Sequence, residues 1–213
     1  MSATADQPGP DLIDVIAAVL LALAAVATAW SGYQASRWNG EQAKAGARSN
    51  ALRLESTRAS GLADAQTQID VATFTAWVDA YARSETRLAE FYRRRFRAEF
   101  KPAVEAWIAT RPLENRDAPL TPFAMPQYRL AARAEADALQ TRADALAGTA
   151  RSYVQRSTNY VLAVVLFSAA LFFAGMSARL PARRVRIWLL GVGLVIFTGT
   201  LIWVAVSPVS VSV

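Results

Sequence analysis

The stretch FYRRRFRAEF, residues 91–100, sets Arg93, Arg94, Arg95 and Arg97 almost side by side. Converging guanidinium groups grip phosphate or carboxylate through paired hydrogen bonds, so recognition chemistry concentrates here if anywhere. At helical spacing Arg93 and Arg97 share one face. Glu90 stands four residues before Arg94, and Arg95 four before Glu99, which suits intrahelical ion pairs worth about a few tenths of a kcal/mol each. A solvated face is the plainer expectation, with Arg93 and Arg97 as the residues of a possible partner surface. Phe123 and Met125, in a proline-rich stretch, either join that surface as a binding tip or plug the end of a bundle.

The rest of the inventory argues against reaction chemistry. The chain of 213 residues has no cysteine and no histidine, which removes disulfides, thiolate nucleophiles, imidazole acid/base work and the commonest zinc ligands. No phosphate loop, dinucleotide glycine pattern or nucleophile elbow is present, and no convergent carboxylate pair can be identified. No catalytic residue, cofactor or metal ligand is therefore expected. Asp14 is the one candidate for a proton or cation site within an apolar stretch. It falls in the first turn of its helix, where the helix dipole favours a carboxylate, and the expectation is an interfacial rather than a functional role.

The elements that must position these residues are helical. Residues 12–31, 159–178 and 187–207 are each apolar for about the 20 residues a bilayer crossing needs. Ala25-Val26-Ala27 has the form of a signal-peptide cleavage site, but the leading residues carry Asp6, Asp11 and Asp14 and no basic residue, so an uncleaved anchor is expected. The short connector 179–186 carries Arg179, Arg183, Arg184 and Arg186, which places it in the cytoplasm by the positive-inside rule. Threading outward puts an acidic, disordered tail of residues 1–11 in the cytoplasm, with residues 32–158 and the tail 208–213 outside. Against this stand 19 basic and 14 acidic residues in the central region.

Trp30, Tyr33 and Trp38 fall where the first span ends, and Arg37 lies among them. Amphipathic rings favour the headgroup layer, where a long arginine also places its charge, so these four residues read as a membrane-interface collar. Gly32 and Gly40 permit a bend or a close contact there. Further on, Phe74, Trp77, Val78, Tyr81, Leu88, Phe91 and Tyr92 recur at three- and four-residue steps, as on one face of a helix of about thirty residues. Ala132, Leu139, Leu146, Tyr153 and Tyr160 recur every seven residues, with Ala136, Ala143 and Ala150 at the companion position. That seam should meet the helix of the 70s to 90s and run straight into the second span. Residues 34–66 show only a weak stripe and suggest a helix broken near Gly61. Pro112, Pro119, Pro122 and Pro126 make 111–127 a loop, and Pro102 starts a short helix with Trp107 and Ile108. Ala18 with Ala22 and Ala170 with Ala174 support tight span packing and self-association.

The expected fold is an all-α membrane protein: three transmembrane helices plus an extramembrane antiparallel helical bundle or coiled-coil-like hairpin over 32–158. In layout, and in the segments WSGYQASRWNGEQA and ARLPARRVRIW, the chain resembles an uncharacterised bacterial family of three-span membrane proteins with a helical region between the first two spans. The resemblance implies a bacterial plasma (inner) membrane location and this architecture, and carries no activity. The expected function is a non-enzymatic scaffold, sensory or partner-binding module, in contact with the lipid bilayer and with an envelope protein or further copies of itself. A small oligomeric channel or transporter component is the alternative, and a membrane-tethered enzyme a third. No nucleic-acid partner is expected, because the basic residues are interleaved with acidic ones.

Overall fold

The computed structural model describes residues 11–210, so the expected disordered tail falls outside the described residues except for Asp11, as do residues 211–213. The fold is all-helical, as expected: α1 (Leu12–Ala82), α2 (Thr86–Arg95), α3 (Lys101–Ala109), a short 3-10 turn (Pro122–Ala124), α4 (Ala131–Ser177) and α5 (Arg183–Ala205). Three of these helices, α1, α4 and α5, are long and apolar enough to cross a membrane. The chain divides into two compact units, one of residues 1–46 and 147–213 and one of residues 47–146. Residues 32–46 and 147–158, which the sequence groups with the intervening region, thus belong to the unit that holds the apolar stretches.

In that first unit α1 and α5 run parallel and α4 runs against both. Asp14 on α1 forms an ion pair with Arg186 at the start of α5, which fixes the two helix beginnings at one end. The interior is Ala17, Leu20, Ala24, Ala163, Phe167, Ala170, Ala174, Leu190 and Phe197. Ala170 and Ala174 pack tightly, as their spacing implies, whereas Ala18 and Ala22 face outward. Val19, Val26, Val165, Phe172, Val195 and Ile202 are exposed, an apolar exterior that suits hydrocarbon and not water. Gly193 lets α5 approach α4: a Cβ there would lie 3.3 Å from the Ala170 carbonyl oxygen and 3.4 Å from the Phe173 Cβ. Gly193→Leu should force the helices apart at a cost of about 1–3 kcal/mol, a drop of several degrees in the thermal midpoint. Gly191→Leu, with nothing within 4 Å of its added Cβ, is the control and should leave the midpoint unchanged.

In the second unit residues 47–66 of α1 lie antiparallel to residues 131–146 of α4. The Ser49 hydroxyl donates to the Ala143 carbonyl and that of Ser56 to the Ala136 carbonyl, both at 2.8 Å. Such bonds need backbones close together, and the buried Ala63, Ala132, Ala136 and Ala143 allow it. Arg53–Asp144 at 3.1 Å and Arg133–Asp64 flank the seam. The alanine seam of α4 therefore meets residues 49–63, not the helix of the 70s to 90s. The reason is that Ser49, Ser56 and Ala63 repeat every seven residues, a stripe too small and polar to register as hydrophobic.

Two further expectations are corrected. Helix α1 does not break at Gly61 but continues to Ala82: no proline interrupts it, and Ala63 and Ser56 beside the glycine are held against α4. The stripe from Phe74 to Tyr92 is not one helix. Ser84, at φ 62°, ends α1 in a left-handed cap in which Glu85 N donates to Ala80 O at 2.9 Å and Ser84 N to Tyr81 O at 3.0 Å. The expected proline-initiated helix is present as α3, with Pro102 in its first turn.

Candidate functional site

The interior of the second unit is aromatic. Trp77, Phe96, Phe100 and Val104 are buried, and Phe74, Tyr92, Trp107, Phe123, Met125 and Tyr128 pack around them. Phe100 is the hub: it stacks on Phe123 at 5.0 Å and meets Phe96, Tyr128 and Phe74 edge-on at 5.2, 5.7 and 6.1 Å. Phe123 and Met125 thus plug this cluster and do not form a free tip.

Beside the rings lies an ionic latch. Asp70, one turn before Phe74, is 0% exposed and accepts a hydrogen bond from Arg97 Nη1 on Oδ2 at 2.8 Å. The Tyr128 hydroxyl sits 3.2 Å from the same oxygen and 3.3 Å from Thr67 Oγ1, with one proton to give to either. Arg97 also pairs with Glu99, whose Oε1 accepts from the Ala131 amide at 3.1 Å and so ties down the start of α4. Burial raises the Asp70 carboxyl above its ordinary range, outweighing the lowering effects of Arg97 and Tyr128, and nearby Glu99 pushes the same way. Tyr128 is raised too, chiefly by burial.

A cleft opens on the outer side of the rings. A hollow of about 350 Å³ is lined by Trp77, Tyr81, Trp107, Ile108 and Leu113, with Arg93, Arg111 and Glu114 as its charged residues. A second, of about 470 Å³, shares Trp77, Tyr81 and Arg93 with it and adds Ser84, Thr86 and Glu90. Trp77 and Tyr81 stack at 5.5 Å, and Trp107 is oriented by its Nε1 donating to Pro119 O at 2.6 Å. Glu90 lies 3.8 Å from Arg94 and Glu114 3.7 Å from Arg111, while Arg93 makes no ion pair among the described residues. Ser84 and Arg111, the two non-glycine residues with left-handed backbone among the described residues, line these hollows. At φ 51° Arg111 caps α3, its amide donating to Ile108 O at 3.0 Å.

The expected residues are thus dispersed. Arg93 and Arg97 do not share a helical face, because α2 ends at Arg95 and the extended Phe96 redirects the chain. Arg93 lines the cleft, and Arg97 serves the latch. Glu99 accordingly pairs with Arg97 and not with Arg95, whose guanidinium lies 3.6 Å above the Phe91 ring; the Glu90–Arg94 pair is present. In the first unit Trp30 and Tyr33 are exposed with centroids 6.0 Å apart, as a collar requires. Trp38 is not: at 6% exposure it packs on Tyr153 at 5.3 Å with the Arg156 guanidinium 4.7 Å above it, because positions 31, 35 and 38 face α4. Arg37 is half-buried, and Arg183 and Arg184 are exposed at the start of α5. Asp70, Glu99, Tyr128, Tyr81, Trp107 and Arg111 are the residues that sequence reasoning missed as site residues. Asp70 carried a signal as the next member of the seven-residue series Ser49, Ser56, Ala63, while Tyr81, Glu99 and Trp107 stood out as a stripe residue, an ion-pair partner and a helix residue and not as parts of a site.

Comparison with protein-family models, curated proteins and solved structures finds no match for this chain.

Proposed function

We propose that the chain is a non-enzymatic membrane-anchored binding module, of sensory or scaffold type, whose recognition element is the aromatic cleft of residues 77–114. The observation that carries this reading is the cleft itself: concave, walled by three aromatic residues, and fringed by arginine, in a unit whose charged latch is consumed by structure. Such a composition is that of ligand pockets and interface hot spots. The channel alternative is less well supported, because the contact among the apolar helices is chiefly alanine, leucine and phenylalanine, with Ser31, Ser177 and Thr200 as isolated buried hydroxyls.

In this proposal the arginine-rich connector faces the cytoplasm of a bacterial cell, residues 32–158 lie outside, and the paired arms of α1 and α4 act as a coiled-coil-like hairpin. The Asp14–Arg186 pair supports part of it, since it keeps the starts of α1 and α5 at one membrane surface.

The absence of cysteine makes the test direct. Leu113→Cys, on the cleft rim, should react in intact cells with a membrane-impermeant maleimide, and Arg184→Cys only after permeabilisation. A photocrosslinker linked to the thiol of the Leu113→Cys variant should yield discrete adducts that the same reagent on Leu54→Cys does not. Equal labelling at both ends, or adducts that do not depend on position, would overturn the reading.

A further inference from the structure

The cleft combines flat aromatic walls, a cation without a counter-charge and an arginine where glycine would serve the backbone better. We infer that it binds a small amphipathic anion: a flat apolar body bearing one carboxylate or phosphate. The body lies against Tyr81 and Trp107, with Trp77 behind them, and the anionic group is held by Arg93 and Arg111. This rests on the binding-module reading and gives it a ligand class.

The Trp107 indole N–H is already donated to Pro119 O, so that ring offers the cleft only apolar surface. Trp77, stacked on both Phe74 and Tyr81, backs the cleft, whereas the exposed Tyr81 ring offers a flat surface on which a planar partner can stack. A hollow of about 350 Å³ falls in the range of small-ligand pockets. The charge is left open for an anion. Glu90 pairs with Arg94 at 3.8 Å and Glu114 with Arg111 at 3.7 Å, and both pairs are loose and largely exposed, so neither carboxylate neutralises much of the arginine charge.

Arg111 supplies a separate argument. A left-handed helix cap is strain-free with glycine and strained with arginine, so Arg111 stands there against backbone preference. Its place on the cleft wall gives it a use, because Arg111 and Arg93 line the same hollow.

The test uses the full chain in phosphatidylcholine nanodiscs and titration calorimetry with indole-3-acetate, phenyl phosphate, neutral indole-3-acetamide and inorganic phosphate. Saturable one-site binding of an aromatic anion is expected, at least tenfold weaker for the amide and undetectable for inorganic phosphate. If only one of the two anions binds, the chemistry of the ligand's charged group is thereby assigned. Arg93→Gln and Arg111→Gly should each weaken binding about tenfold. Arg111→Gly is the sharper variant, because glycine relieves the cap and a lost affinity then reports the missing guanidinium and not a damaged fold. Failure of both anions to bind, equal binding of the amide or of inorganic phosphate, or unchanged affinity in either variant overturns the inference. Position-dependent adducts in the Leu113→Cys variant with no anion binding would remove this ligand class and leave the binding module standing.

Discussion

Arg97→Met should destabilise the protein by about 3 kcal/mol at neutral pH, whereas Asp70→Asn should stay within about 1 kcal/mol of the parent, although the two residues form one ion pair. Removing the guanidinium leaves the Asp70 carboxylate fully buried, with Tyr128 as its remaining donor and Glu99 adding repulsion. Removing the carboxylate's charge leaves Arg97 with Glu99 and partial access to water. The asparagine also meets a need: Asp70 Oδ1 and Gln66 Oε1, one turn apart, are both buried acceptors without a donor, and the new amide N–H can serve there. Thermal unfolding of the two variants in nanodiscs, followed by near-ultraviolet circular dichroism, checks the contrast. Equal losses would show that the latch acts as an indivisible pair.

The same residue sets a pH dependence. Because the folded-state value of Asp70 lies above its ordinary 3.8, its contribution to stability is complete below that pH and is lost as pH rises through the raised value. Arg97→Met removes a lowering influence, raises the value further and extends the loss to higher pH. The Asp70→Asn variant should lack this slope altogether.

The apolar helices were legible because hydrocarbon burial demands an uninterrupted run, and the chain writes it three times. The α4 seam was legible for a related reason: alanines at seven-residue spacing between larger residues announce a close neighbour. Its partner was not, since Ser49 and Ser56 stabilise the contact by donating to backbone carbonyls, a role that hydrophobic periodicity does not detect. The break at Ser84 was hidden likewise. Neither glycine nor proline marks it, and the aromatic stripe continues on both sides because Phe74 and Trp77 of α1 and Tyr92 of α2 pack into the same cluster. The cleft was the least legible feature. Its walls come from residues 77, 81, 93 and 107, on three helices, and from residue 111 just past α3, and their mutual approach is set by the packing of Phe100 and Phe96 and by no local pattern. The arginine run drew notice to the right stretch, but backbone geometry at Phe96 decided that Arg93 would face the cleft and Arg97 the interior.

Phe100→Ala should cost about 3–5 kcal/mol, the range for deleting a fully buried aromatic ring. The loss exceeds the transfer of one side chain, because Phe100 contacts Phe96 of its own connection and rings from three other segments: Phe74 of α1, Phe123 of the short turn and Tyr128 before α4. Residues 110–130 contain no α-helix and are held inward by Phe123, Met125 and Tyr128 together with the Trp107–Pro119 bond. With the hub removed, that segment loses its main stacking partner first. Limited proteolysis should therefore cut the variant between residues 111 and 130 well before it cuts α4, and the thermal midpoint should fall by about 10 °C or more. Phe91→Ala is the comparison: its ring is 41% exposed and held by the Arg95 guanidinium, so the change should cost under about 1 kcal/mol and leave the cleavage pattern as in the parent. If Phe100→Ala instead resists cleavage in 111–130, the loop is secured by the latch at Asp70 and Glu99, and the ionic contacts, not the rings, hold this end of the unit together.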